Sequence, residues 1–120
     1  MKKMLFVALL AAVPASAQAM DVKTFLTKAD GLKKKGMMAL FSGDLKVLKS
    51  EIQTSASALK TERNAAKAAG RPQTYCPPEK SSLNSNEILA SFQSIPEPQR
   101  PRIQVKDALK ALLVKKYPCG

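Results

Sequence analysis

Cys76 and Cys119 are the residues of this chain whose chemistry is easiest to name. They are its only two cysteines, and they bracket the last 45 residues as Tyr75-Cys76-Pro77-Pro78 and Tyr117-Pro118-Cys119. Their spacing suits neither a C-x-x-C redox pair nor a zinc site. In an oxidising compartment the simplest outcome is one disulfide, closing a loop of about 44 residues; two free thiols or an intermolecular bond stay open. In the chain-entropy account such a closure stabilises by roughly 4 kcal/mol. Other chemistry is thin. The chain has no histidine, the usual general base and commonest metal ligand. Its nine carboxylates include several that read as helix caps or exposed partners. There is no G-x-S-x-G, no phosphate-cradling glycine loop and no calcium-loop spacing. Serines and lysines are too abundant for a Ser/Lys dyad to stand out. The expectation is a binding protein rather than an enzyme, with no metal and no cofactor.

The compartment is read from the N-terminus. Lys2 and Lys3 precede an uncharged apolar run over residues 4–13. Pro14 breaks the run, and Ala15-Ser16-Ala17-Gln18-Ala19 supplies small residues in the A-x-A arrangement of a cleaved secretory signal. Ten residues are too few to span a bilayer, which needs about 20. The expectation is a signal peptide over 1–19, cut after Ala17 or Ala19, and a periplasmic product without a membrane span. Loss of Lys2 and Lys3 from the 20 basic residues leaves a net charge near +9 against nine acidic ones. Such a charge suits anionic lipid, cell wall or an acidic protein, and export makes nucleic acid the least expected partner. It serves equally to keep helices soluble.

About 100 residues remain, enough for one domain with a modest core. The pattern predicts an all-α fold, a small four- to five-helix bundle built from two helical hairpins. Residues 20–70 form a long helical pair. Asp21 caps a first helix with Val22, Phe25, Leu26, Ala29 and Leu32 on one stripe. Lys33, Lys34, Lys35 and Gly36 end it. Met37, Met38, Ala39, Leu40 and Phe41 form an apolar connector, expected as a short helical turn that plugs the core. A second helix runs from about Leu45 to Ala69, facing inward with Leu45, Leu48, Ile52, Ala56, Leu59 and Ala66. Its apolar face fades after Leu59, so its far half is expected to project or stay solvated. Residues 71–120 form the second hairpin. Asn84 and Glu87 make a capping box for a helix carrying Ile88, Leu89, Phe92 and Ile95. Pro96, Pro98 and Pro101 stop it and stiffen an exposed turn bearing Arg100 and Arg102. A fourth helix, from Ile103 or Val105 to Lys116, faces inward with Val105, Ala108, Leu109, Leu112 and Leu113. The disulfide would then tie the loop before the third helix to the end of the fourth.

At the bracketed stretch the chain resembles the Rap/Tai family of immunity proteins, small secreted helical proteins associated with bacterial type VI secretion. The residues that carry the likeness are Tyr75-Cys76-Pro77-Pro78, then Glu87-Ile88-Leu89, Ile95-Pro96, Ala108-Leu109 and Tyr117-Pro118-Cys119. The first half departs from that pattern with a lysine-rich helical pair. The resemblance implies a protein that neutralises a cell-wall-targeting effector by binding it, on a fold like that of the HdeA acid-stress chaperones. A holdase of that chaperone type and a basic envelope-binding protein are the alternatives. The implied partner is a protein effector or an envelope component, and a homodimer stays open. Candidate contacts are Tyr75, Pro78 and Lys80 before the third helix, Pro98, Arg100 and Arg102 in the proline turn, and Lys33, Lys34 and Lys35. Each of these stretches reads at least as well as a plain connector or helix cap.

Overall fold

Four α-helices and two 3₁₀ helices follow one another in a computed structural model that describes residues 20–119. The expected signal peptide lies outside the described residues. Helix α1 spans Val22–Lys35. The Asp21 carboxylate accepts the Thr24 backbone N–H at 3.3 Å and the Thr24 hydroxyl, satisfying a donor that the first helical turn leaves free. Gly36, at φ 57°, ends the helix in a conformation that side chains with a Cβ rarely adopt.

Helix α2 spans Gly43–Ala68. It begins two residues earlier than expected, because the Ser42 hydroxyl accepts the Asp44 N–H at 3.3 Å. Asp44 sits in the first turn, where its charge suits the helix dipole, and pairs with Lys28 at 3.3 Å. The Met20 N–H donates to Glu51 Oε1 at 3.3 Å, so α1 and α2 run antiparallel. Most of the expected inward stripe of α2 holds, with Leu48 and Leu59 buried and Leu45, Ile52 and Ala66 half-buried. Ser55 is buried and Ala56 is exposed, because Leu48, Ser55 and Leu59 lie seven and four residues apart along one line. From Lys60 onward most positions are exposed.

Helix α3 spans Ser85–Gln93 and opens on the expected capping box. Asn84 Oδ1 accepts the Glu87 N–H at 2.8 Å, and Glu87 Oε2 accepts the Asn84 N–H at 3.1 Å. Asn84→Ala is expected to lower stability by about 1 kcal/mol. A urea midpoint unchanged by that substitution would show that the box contributes nothing. The proline turn is a 3₁₀ helix over Glu97–Arg102, and α4 spans Val105–Lys116. Lys116 reaches Glu87 at 2.7 Å, which places the end of α4 beside the start of α3. The disulfide joins Cys76 to Cys119 with their Cα atoms 5.0 Å apart, and it closes this second hairpin.

The core gathers Val22, Phe25, Leu26 and Ala29 of α1, Leu48 and Leu59 of α2, Ile88 and Phe92 of α3, and Val105, Ala108 and Leu109 of α4. Phe92 meets Phe25 edge to face, with ring centres 5.2 Å apart. One link has no periodic signal in the sequence. The Val22 N–H donates to Ile103 O and the Val105 N–H to Met20 O, each at 2.8 Å. This two-bond bridge sews the start of α1 to the start of α4.

The connector over residues 36–41 is a 3₁₀ helix as expected in kind but not in place. Met37, Met38, Leu40 and Phe41 do not plug the core; all four are exposed. The first hairpin is closed by a connector too short to fold back over it. The core is already filled by side chains of the four helices.

Candidate binding groove

A groove of about 770 Å³ runs between the second half of α2 and the loop that precedes α3. Ile52, Leu59, Leu109 and Leu113 line it, with Lys60 and Lys67 on the α2 side. Both lysines are exposed, at seven-residue spacing that puts them on one face of the helix. The facing wall is loop 77–83, which includes Pro77, Pro78, Glu79 and Leu83. An apolar floor with a basic rim suits a partner that brings an apolar anchor flanked by acids.

The loop wall is fastened at two points to the end of α4. At one, the disulfide holds Cys76, whose N–H donates to Tyr117 O at 2.8 Å. At the other, Lys116 Nζ donates to Ser82 O at 3.2 Å while also pairing with Glu87. The hydrogen bond from Lys116, with that from Asn84, holds the Glu87 carboxyl below its ordinary value of 4.5, and the Lys116 ammonium is raised by the same pairing. A carboxyl lowered in the folded state adds stability above its unfolded value and loses it as pH falls through the folded one. Acidification below about pH 4.5 is therefore expected to loosen the clasp between the start of α3 and the end of α4. Thermal melts of Lys116→Met should show a shallower decline across that range than the parent protein. Identical declines would remove the pair as a cause.

The expected contact residues divide sharply. Tyr75 is 6 % exposed, and its buried ring contributes to the lining of the groove. Its hydroxyl donates to Leu59 O at 3.2 Å, and Arg63 Nε donates to Tyr75 O at 3.3 Å. The Arg63 guanidinium also lies 5.9 Å from the centre of the ring. Burial pushes the phenol's pKa up, opposed by Arg63 and aided by Glu62, so the hydroxyl keeps its proton and its donor role. Leu59, Arg63 and Tyr75 together separate the groove from a smaller hollow of about 380 Å³. Arg100 is likewise turned inward. It donates to Ile95 O and to Gln93 O, each at 2.8 Å, and so satisfies carbonyls at the end of α3. Pro78, Lys80, Pro98 and Arg102 are exposed as expected, and of these only Pro78 lines the groove. Lys33, Lys34 and Lys35 are exposed at the end of α1, away from the groove lining.

Comparison of the chain with protein-family models, with curated proteins and with solved structures returns no match. The sequence reading missed Lys60, Arg63 and Lys67, although their three- and four-residue spacing marks one face of α2. What hid them was the small and charged composition around them, which reads as a solvated arm. No helix among the described residues is long and apolar enough to cross a membrane.

Proposed function

We propose that the protein is an exported binding protein of immunity type, which neutralises a cell-wall-targeting effector by covering its catalytic cleft. The observation that carries this reading is the groove with its doubly fastened wall. A wall held by a disulfide and a lysine clamp loses little further freedom on binding, which favours affinity. The basic rim at Lys60 and Lys67 complements acidic residues beside an apolar anchor at the mouth of the effector's cleft, and seating that mouth in the groove blocks access to it. The likeness at the cysteine brackets points the same way. Chemistry on the chain's own side is not required, since occlusion is enough.

The test is genetic and then physical. Deletion of the gene should sensitise the cell to an effector encoded beside it or delivered by a neighbouring strain. Purified effector should bind the parent protein and bind Lys60→Glu/Lys67→Glu at least tenfold more weakly. Indifference of the deletion strain to every such effector would end the immunity reading.

A holdase reading draws on a different observation. Three ion pairs, Lys28–Asp44, Lys106–Glu62 and Lys116–Glu87, each join separate segments of the fold. A rising positive charge in acid strains a fold joined in this way and favours expansion. Circular dichroism and dye binding at pH 2–3 distinguish the two. A native signal without newly exposed apolar surface would exclude the holdase.

A further inference from the structure

The end of the first hairpin carries a feature that the groove does not use. Met37, Met38, Leu40 and Phe41 are 82, 66, 68 and 84 % exposed on consecutive turns of one 3₁₀ helix. Single exposed apolar residues are ordinary, but four large ones together mark an interaction surface. Exposure this high means that no neighbouring element lies against them, so the patch is a convex tip and not a cleft. The charge around it is one-sided. Residues 28–49 hold six lysines, at positions 28, 33, 34, 35, 46 and 49, against two aspartates, Asp30 and Asp44. Asp44 is already paired with Lys28 at 3.3 Å. Lys33, Lys34, Lys35, Lys46 and Lys49 are exposed.

We propose that this tip is a docking surface for an anionic lipid bilayer. Met37, Met38, Leu40 and Phe41 enter the boundary between headgroups and acyl chains, and Lys33, Lys34 and Lys35 meet the lipid phosphates. A bilayer is the occupant that a convex apolar tip fits, because a fluid apolar phase closes around a protrusion without a preformed pocket. Lysine stems are long enough to lie along the apolar side chains while their ammonium groups stay at headgroup level. Unbranched methionine adapts to a mobile surface. A second copy of the chain is a poor occupant, since a symmetric contact would set the two lysine clusters face to face. The inference does not depend on the effector reading, which uses another face.

Vesicles of equal parts phosphatidylglycerol and phosphatidylcholine, compared with pure phosphatidylcholine, provide the test. The protein is used as the cell processes it, and the readout is the affinity of each variant relative to the parent. Binding to the anionic vesicles is expected, weakening steeply as salt is raised. Lys33→Gln/Lys34→Gln/Lys35→Gln should lower affinity about a hundredfold, roughly fivefold per charge removed. Phe41→Ser should lower it at least tenfold by removing apolar insertion. Phe41→Ser should leave the thermal midpoint unmoved, because its side chain is exposed, and the lysine variant should lower it only slightly, through loss of the charges at the end of α1 and of the Lys35–Ser42 hydrogen bond. Equal binding to both vesicle types, or variants that bind like the parent, would overturn the proposal. So would a dimer in sedimentation equilibrium that Phe41→Ser dissociates, which would assign the tip to a second copy.

Discussion

Replacing Cys76 and Cys119 together with alanine is expected to lower the unfolding free energy by about 4 kcal/mol. The residues are 43 apart in sequence, and their bond closes the whole α3–α4 hairpin with its leading loop. Without the bond the unfolded chain regains the freedom of that loop, which is the principal source of the effect. A domain of this size has about 5–15 kcal/mol in total, so the variant should be marginal at body temperature. The loop wall of the groove should also lose one of its two fastenings, with Lys116 at Ser82 as the remaining one. Denaturation of the parent and the double variant, each with and without reductant, checks this. Reductant should bring the parent down to the level of the variant and leave the variant unmoved. A loss below about 1 kcal/mol would mean that the hairpin is held by its packing alone.

Phe92→Ala is expected to cost about 3–5 kcal/mol. Phe92 is fully buried, and its ring meets that of Phe25 edge to face. Truncation leaves a cavity where α1 and α3 meet, and it also removes an aromatic pairing of about 0.5–1.5 kcal/mol beyond area burial. Helix α3 has only nine residues, too few to persist alone in water. Its docking therefore rests on Ile88 and Phe92, its two buried side chains. Phe92→Leu keeps most of the apolar volume and should cost clearly less. Urea denaturation of both variants separates cavity from pairing. Equal losses for leucine and alanine would show that ring geometry, not volume, governs the site.

The helices and their caps were legible because each rests on local chemistry. Asp21, Gly36, Asn84 with Glu87, and the prolines after Gln93 act within a few residues of themselves. The cysteine pair was legible because its brackets fall at the outer ends of one hairpin. Residues 37–41 were misplaced for a reason that apolar composition hides. Hydrophobicity states that a side chain gains from burial, not that a neighbour is present to bury it. Tyr75 and Arg100 stand in the two proline-rich stretches whose stiffness marks them as candidate contacts. Their roles depend on carbonyls of Leu59, Ile95 and Gln93, which no side-chain pattern announces. The groove was illegible for a stronger reason. Its walls come from α2, α4 and the loop before α3, and the space between them exists only once all three have met.

The bridge between the start of α1 and the start of α4 bears on the order in which the molecule can assemble. Met20 and Val22 bond to Val105 and Ile103, partners about 80 residues further along. Helical bundles usually fold fast because their contacts are local, and distant pairings slow the search. Here the first helix cannot receive its final partners until nearly the whole chain has been made. An incomplete, ribosome-bound chain therefore holds α1 with only α2 to cover its apolar stripe. Completion waits for the last residues to arrive, so assembly is expected to be a single late event rather than a growth from the N-terminus.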